Sequence, residues 1–236
     1  MEGIKEMKKT IQLFLLPYAG GSSFSFMKMI RFLNPEIEAI SVEYSGRGGR
    51  KNEPFIDEYN AFLSDVVRQI RECRNDELGF AILGYSMGSV LAFDICSQKL
   101  IVDRPIHAFF CAEGSLKSNN QARKYASLSD ESFKEKILQL GGLDSRILND
   151  HEALDLYLNV IRADHKILGQ YEYRNNRAEC DSTIIYSTDD STCVDMQEWI
   201  ELVTGKTDFF EIGNNHFFIN QEYKTVADII NRELSF

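Results

Sequence analysis

Short apolar runs alternate with longer amphipathic segments along most of the chain. The runs are four to seven residues long, a length typical of buried β-strands. They predict strands near Ile11–Leu16, Ile37–Glu43, Phe80–Tyr85, Ile106–Cys111, Thr183–Tyr186 and Thr207–Ile212. The segments between them predict helices near Phe24–Leu33, Asp57–Arg74, Met87–Lys99, Val194–Val203 and Gln221–Glu233. Because strands alternate with helices, the pattern indicates an α/β fold with a mostly parallel central sheet flanked by helices.

A long stretch without a predicted strand interrupts this alternation. About 70 residues separate the strand that ends near Cys111 from the strand that starts near Thr183, whereas a complete β-α-β unit needs only about 30. We therefore expect a helical insertion over approximately residues 115–175. An insertion at this point of a sheet protein is typical of a lid over the ends of the strands. The alternative is one extra pair of packing helices.

Two helices are predicted within this insertion. The sequence Ser127-Leu128-Ser129-Asp130 has the form of a capping box. The helix that follows it, over Phe133 to Leu140, is expected to end at the pair Gly141-Gly142. A second helix carries a single stripe at spacings of three and four, made of Leu154, Leu158, Ile161, His165 and Leu168.

Length and charge limit the classes of function. With 236 residues, 44% of them hydrophobic, the chain can bury the core of one domain that spans residues 1–236. The net charge of −10 and the lack of a basic stripe argue against a nucleic-acid partner. The apolar segment Ile11–Leu16 is broken by Pro17 and is too short for a signal peptide or a membrane span. We therefore expect no membrane association, and a monomer is the simplest assembly.

Cysteine and histidine usage indicates the compartment and argues against a metal. The five cysteines are widely spread without a C-x-x-C pair, which is typical of buried free thiols in a reducing cytosol. The four histidines lack the spacing of metal ligands. We therefore expect a cytoplasmic protein without a metal or another cofactor.

One predicted strand ends at a serine held between two glycines. Residues Gly84-Tyr85-Ser86-Met87-Gly88 fit G-x-S-x-G, the pattern of a nucleophile elbow, with a predicted strand before it and a predicted helix after it. Small residues two before and two after the serine would let the strand and the helix approach without a clash. The amide of Met87 would then point toward the group that Ser86 attacks. The alternative is that Ser86 only caps the helix.

A serine hydroxyl needs a base, and the base needs an acid that orients it. After a nucleophile elbow, the partners follow in the order Asp or Glu, then His, on loops after later strands. His216 lies directly after the last predicted strand and is the candidate base. Asp189 and Asp190 both follow the strand Thr183–Tyr186, and Asp195 is a more distant third candidate. Adjacent side chains in a turn point in different directions, so the residues alone leave the choice of acid open.

The loop after the first strand contains paired glycines. Residues Pro17-Tyr18-Ala19-Gly20-Gly21-Ser22-Ser23 offer backbone amides that can approach a ligand without an intervening Cβ. We expect this loop to supply a second oxyanion donor beside the Met87 amide. A phosphate-binding turn is the alternative, but neither G-x-G-x-x-G nor G-K-[ST] is present.

Four stretches of the chain resemble type II thioesterases, the stand-alone α/β-hydrolases that accompany nonribosomal peptide and polyketide synthases. They are LPYAGGS (16–22), YSGRGGRKNEP (44–54), GYSMGS (84–89) and GNNHFF (213–218). QLGGL (139–143) also resembles a lid element of the peptide-synthase branch. The resemblance runs nearly from end to end and implies an α/β-hydrolase fold with a helical lid.

The resemblance implies a role for individual residues. Ser86 would be the nucleophile, His216 the base, and the backbone amides of Met87 and Ala19 the oxyanion hole. The family's G-x-x-D pattern implies Asp190 as the acid. Three positions depart from the family, because Ser187 replaces the glycine of that pattern, Tyr85 replaces a histidine and Ser45 replaces a proline. At Tyr85 and Ser45 we expect altered packing only.

The implied reaction is hydrolysis of aberrant or stalled acyl thioesters on the phosphopantetheine arm of carrier proteins, through an acyl-enzyme. The enzyme itself would need no cofactor, since the substrate brings the phosphopantetheine. Acidic acyl or peptidyl carrier domains would be the partners, and Arg47, Arg50 and Lys51 are the candidate docking residues. A solvated loop with Arg47 held in a structural hydrogen bond is the alternative.

Two other functions remain open from the residues alone. The same serine, aspartate and histidine would serve a general carboxylesterase or lipase of this fold, because they do not distinguish oxygen esters from thioesters. A non-catalytic binding protein on a hydrolase scaffold is the other alternative.

Overall fold

The computed structural model describes residues 9–117, 121–141 and 145–235, which form six strands and nine α-helices. The strands are β1 Ile11–Leu16, β2 Ile37–Ser41, β3 Gly79–Tyr85, β4 His107–Cys111, β5 Asp181–Tyr186 and β6 Thr207–Glu211. The helices are α1 Met27–Ile30, α2 Tyr59–Cys73, α3 Met87–Ser97, α4 Gln121–Ala126, α5 Asp130–Leu140, α6 Ser145–Leu148, α7 His151–Leu168, α8 Trp199–Leu202 and α9 Tyr223–Glu233.

The six described strands form one parallel sheet in the order β2-β1-β3-β4-β5-β6. The central strands β1 and β4 are buried along their whole length, as expected for parallel strands that helices cover on both faces. Neighbouring residues of one strand point to opposite faces, so Leu13 and Phe14 belong to two different apolar clusters. The predicted α/β architecture with a mostly parallel central sheet is confirmed.

The helices that cover the sheet follow the predicted apolar pattern where they are long. α2 buries Phe62, Val66 and Ile70 at helical spacing against the sheet. Two predicted helices are shorter than expected. The segment predicted over Phe24–Leu33 begins as a 3-10 turn capped by Ser22, and only four residues continue as α1. The segment predicted over Val194–Val203 is likewise a 3-10 turn followed by α8.

Four described helices, α4 to α7, fill the chain between β4 and β5, and we call them the insertion helices. The predicted capping box is wrong: Ser129 caps α5 by accepting from the Ser132 amide, while Ser127 donates to the Lys124 carbonyl. Gly141 ends α5 with a φ of 76°, as predicted, and Gly142 lies outside the described residues. α7 buries four of the five predicted stripe residues, Leu154, Ile161, His165 and Leu168, whereas Leu158 is half-buried.

The structure also bears on two expectations from composition, the lack of a membrane span and the burial of free cysteines. Among the described residues, no helix combines the length and the apolar character needed to cross a bilayer. All five cysteines are free thiols. Their expected burial is wrong for Cys73, which lies exposed at the end of α2.

The crossing of β3 and α3 depends on the absence of two side chains. A Cβ at Gly84 would lie 2.2 Å from the carbonyl oxygen of Gly88. A Cβ at Gly88 would lie 2.0 Å from the carbonyl oxygen of Leu16 in β1. Both neighbours are backbone atoms, so neither can rotate away, and the strand and the helix reach their observed distance only with glycine at both positions.

We expect Gly88→Ala to lower the free energy of unfolding by about 2–3 kcal/mol, because β1 must shift to admit the methyl group. Gly49→Ala is the matched control, since a Cβ there meets no atom within 4 Å, and its effect should stay within about 0.5 kcal/mol. Urea unfolding of the two variants measures both values. Equal losses would contradict the proposed clash.

Candidate active site

Ser86 occupies a sharp turn between β3 and α3. Its backbone has a φ of 51° and a ψ of −116°, a conformation that a residue with a Cβ rarely adopts. The Ser86 amide donates to the Cys111 carbonyl at 2.7 Å, and the Ser89 hydroxyl donates to the Gly84 carbonyl at 2.8 Å. Met87 begins α3, so its amide is one of the first-turn donors without an intrahelical acceptor. This is the geometry of a nucleophile elbow.

His216 and Asp190 form a short buried hydrogen bond. His216 Nδ1 lies 2.7 Å from Asp190 Oδ2, and the two residues are 5% and 3% exposed. Thr192 donates to Asp190 Oδ1 from its amide at 2.9 Å and from its hydroxyl at 2.7 Å. Burial alone would raise the pKa of Asp190, but the hydrogen bonds from His216 and Thr192 hold that pKa below its ordinary value. The ionised carboxylate favours a proton on Nδ1 of His216, which leaves Nε2 able to accept one.

The structure distinguishes the aspartates that the residues alone left open. Asp190 contacts His216, whereas Asp189 and Asp195 are exposed. Ser187 helps to set this turn, since its hydroxyl donates to the Gly213 carbonyl at 3.3 Å and accepts from the Asp189 amide.

Tyr85 fixes the loop that carries His216. Its hydroxyl donates to the His216 carbonyl at 2.7 Å and accepts from the Ile219 amide at 3.3 Å. Sequence reasoning expected only altered packing at this position. The hydroxyl instead makes Tyr85 a positioning residue for the backbone of His216, a role that no local pattern indicates.

Ser86 and His216 line one cavity together with Ala19 of the glycine loop, by which we mean residues 17–22. The Ser86 hydroxyl makes no hydrogen bond to any other described residue. The insertion helices form the opposite wall through Tyr125, Ile137, Leu140, Tyr157, Ile161 and His165. The cavity therefore brings the predicted nucleophile, base and oxyanion loop together beneath the predicted insertion.

A buried carboxyl group and a second imidazole also line this cavity. Glu113 follows β4, and burial together with the negative charge of Asp190 raises its pKa to about 8, so its carboxyl is protonated at neutral pH. For His165 of α7, burial together with the positive charges of His216 and Arg162 lowers the pKa to about 4 and keeps the ring neutral. Sequence reasoning missed Glu113, although it follows the carboxyl end of a strand as the other candidates do.

The glycine loop is held from both sides. Gly20 adopts a φ of 80°, and its amide donates to Asp164 Oδ2 of α7 at 2.7 Å. The Tyr44 hydroxyl donates to the Pro17 carbonyl at 2.9 Å. The backbone around Ala19, the expected oxyanion donor, is therefore fixed by an insertion helix on one side and by the segment after β2 on the other.

Arg47 lies in the interior, which corrects its predicted place on a docking surface. Its Nη1 and Nη2 each lie 2.5 Å from one carboxylate oxygen of Asp164, and the two residues are 7% and 0% exposed. Nη1 also donates to the Gly21 carbonyl at 3.3 Å. Burial opposes the charge of Arg47, but the contact with Asp164 outweighs it and raises the pKa above the ordinary value. The guanidinium is thus engaged within the protein.

The other two predicted docking residues differ from each other. Arg50 forms ion pairs with Glu53 and Asp65, so carboxylates of the same chain already balance its charge, and a docking role for it stays a prediction. Lys51 is exposed on the same loop. A docking role for Lys51 stays a prediction.

Known proteins resemble this chain over nearly its whole length. The sequence profile of the thioesterase domain matches residues 11–234. The gramicidin S biosynthesis protein GrsT of Aneurinibacillus migulanus is 27% identical over 95% of this chain and 89% of its own length. Thioesterase PikA5 of Streptomyces venezuelae is 29% identical over 95% of this chain and 81% of its own.

A solved thioesterase structure also resembles this chain. The RedJ thioesterase from the prodiginine biosynthetic pathway of Streptomyces coelicolor superimposes with a TM-score of 0.86 at 27% identity, over 96% of this chain and 86% of its own. This likeness confirms the predicted α/β-hydrolase fold.

We expect Arg47→Met to lower the free energy of unfolding by about 3–5 kcal/mol, because it leaves the buried Asp164 carboxylate without its counter-charge. The double variant Arg47→Met/Asp164→Leu removes both charges and should recover much of that loss. Urea unfolding of both variants and of Asp164→Leu completes a double-mutant cycle. Additive losses in the double variant would contradict a coupled buried pair.

Proposed function

Because the chain belongs to the thioesterase family, we propose that it is a type II thioesterase that clears aberrant or stalled acyl groups from carrier proteins in nonribosomal peptide or polyketide biosynthesis. The observation that carries this proposal is the family match over residues 11–234, which contain the cavity lined by Ser86 and His216. Its relatives include a protein named for gramicidin S biosynthesis and a thioesterase named for the prodiginine pathway. Thioester hydrolysis is the activity of the family.

In this proposal Ser86 becomes acylated, and His216 acts as the base for this step. The Ser86 oxygen attacks the thioester carbonyl carbon while Nε2 of His216 accepts the hydroxyl proton. Asp190 holds the imidazole in the required tautomer and stabilises the imidazolium that forms. The 2.7 Å contact between His216 and Asp190 and the strained backbone of Ser86 support these roles.

Collapse of the tetrahedral intermediate breaks the carbon–sulfur bond. A thiol with a pKa of about 8.5 is a good leaving group, and its sulfur takes the proton from Nε2 of His216 as it departs, which returns the imidazole to its neutral form. A water molecule then gives a proton to His216 and attacks the acyl-serine. The second collapse restores the Ser86 hydroxyl and releases a carboxylic acid. Base catalysis of this kind contributes roughly 10² to 10⁴ in rate.

The backbone amides of Met87 and Ala19 are the proposed oxyanion hole. The support is the position of Met87 at the start of α3 and of Ala19 in the cavity wall beside Gly20. Each such donor contributes about 10² to 10³ in kcat. The insertion helices are the proposed lid, because their side chains line the cavity together with Ser86 and Ala19.

We expect Ser86→Ala to lower kcat for an acylated carrier protein by at least about 10⁴, because the residual rate of a triad enzyme without its nucleophile comes from the oxyanion hole and binding alone. Ser64→Ala, which changes an exposed serine on α2, is the matched control and should keep full activity. Circular dichroism checks that both variants fold. Retained turnover in Ser86→Ala would contradict the mechanism.

The same assays compare the proposed function with its rivals. The substrates are an acylated carrier protein, the matching acyl-coenzyme A and a nitrophenyl ester of the same acid. Preference for the carrier thioester supports the proposal. Preference for the nitrophenyl ester would indicate a carboxylesterase. A wild-type chain that hydrolyses none of them and resists labelling by a fluorophosphonate would be a binding protein.

A second pair of variants tests the acid. We expect Asp190→Asn to lower kcat by about 10⁴, because an amide in place of the carboxylate favours the wrong tautomer of His216. Asp189→Asn changes the exposed neighbour and should keep kcat within about twofold, since surface substitutions have small effects. Steady-state kinetics on the acylated carrier measures both values. A larger loss in Asp189→Asn would assign the acid to Asp189 instead.

A further inference from the structure

An open groove adjoins the cavity that contains Ser86. Tyr18 and Tyr157 line both hollows, so the groove and the cavity meet at these two rings. From there the groove follows the glycine loop to Met27 and Lys28 at the start of α1. The groove therefore extends from the outer surface at Lys28 to the two rings that also line the cavity of Ser86.

The outer end of this groove carries an exposed stripe. Phe24, Met27, Lys28 and Arg31 recur at spacings of three and four along the 3-10 turn and α1. All four are exposed, and Phe24 leaves 64% of its surface in solvent. Exposed large apolar side chains beside a groove are typical of an interaction site.

The stripe continues onto α9 through contacts between cations and aromatic rings. Lys28 Nζ lies 5.8 Å from the ring centre of Tyr223, and Lys224 Nζ lies 5.1 Å from that of Phe32. The rings of Phe32 and Tyr223 are 5.6 Å apart. The result is one continuous surface, which we call the docking face and define by Phe24, Met27, Lys28, Arg31, Phe32 and Lys224.

The charges of the docking face are directed at solvent. Within residues 9–117, 121–141 and 145–235, Lys28, Arg31 and Lys224 form no ion pair, whereas Arg47 and Arg50 do. The whole chain has a net charge of −10, so three exposed cations on one surface form a local positive patch on an acidic protein. A local positive potential of this kind attracts an acidic partner and orients it.

We propose that the docking face receives the acidic carrier protein, with its phosphopantetheine arm in the groove and the phosphodiester of the arm beside Lys28. This inference rests on the proposed function. The arm has an anionic phosphate at the carrier end and the thioester at the other end, and the groove joins cations at one end to the cavity of Ser86 at the other. Apolar side chains surrounded by cations suit an acidic partner helix with an apolar centre.

The test reverses two charges of the docking face. In Lys28→Glu/Lys224→Glu we expect the KM for an acylated carrier protein to rise about tenfold with kcat unchanged, because charges at the rim of an interface govern association. The kcat/KM for the acyl-N-acetylcysteamine thioester should not change, since this substrate lacks both the carrier and the phosphate. That second measurement also shows that the variant folds.

Lys99→Glu/Lys206→Glu is the matched control, because it reverses two exposed charges outside both the docking face and the insertion helices. An equal rise of KM in this control would overturn the proposal, since net charge alone would then explain the effect. An unchanged KM in Lys28→Glu/Lys224→Glu, with wild-type turnover of the carrier intact, would overturn the docking face but not the proposed function. No turnover of any carrier thioester by the wild-type chain would overturn both.

Discussion

The buried ion pair between Arg47 and Asp164 joins three segments that are far apart in the sequence. Arg47 follows β2, Asp164 belongs to α7, and both contact the glycine loop after β1, at Gly21 and Gly20. Two charges without access to water are tolerated only while each satisfies the other. Moving α7 away from the glycine loop would therefore expose or separate this pair, so the ion pair ties one wall of the cavity to the backbone beside Ala19.

The parallel sheet explains why the other parts of the site meet. The carboxyl ends of parallel strands lie at one edge of a sheet, and the loops that follow them share that edge. β3, β5 and β6 end before Ser86, Asp190 and His216, respectively. Side chains within the sheet then tie these loops to one another, as the Tyr85 hydroxyl does when it donates to the backbone of His216.

Burial and hydrogen bonding give the carboxyl and imidazole groups of the cavity different protonation states. Glu113 stays protonated and His165 stays neutral near pH 7, because burial and a neighbouring like charge raise the pKa of the carboxyl to about 8 and lower that of the imidazole to about 4. Asp190 is equally removed from water but ionised, because His216 and Thr192 donate hydrogen bonds to it. The ionised carboxylate of Asp190 therefore lies against the ring of His216.

The sequence by itself determined the features that depend on neighbouring residues. The period of apolar positions located β1 to the residue, and G-x-S-x-G located the elbow at Ser86, because strand length, turn geometry and the need for small residues act within a few positions of the chain. The residues alone left Asp189 and Asp190 open and the family resemblance implied Asp190, but only the tertiary structure shows which side chain contacts His216, because that histidine lies 26 residues away. The tertiary structure also shows that Arg47 lies in the interior and not on a docking surface. The sequence does not reveal this contact, because the partner Asp164 is 117 residues away and no local pattern indicates it.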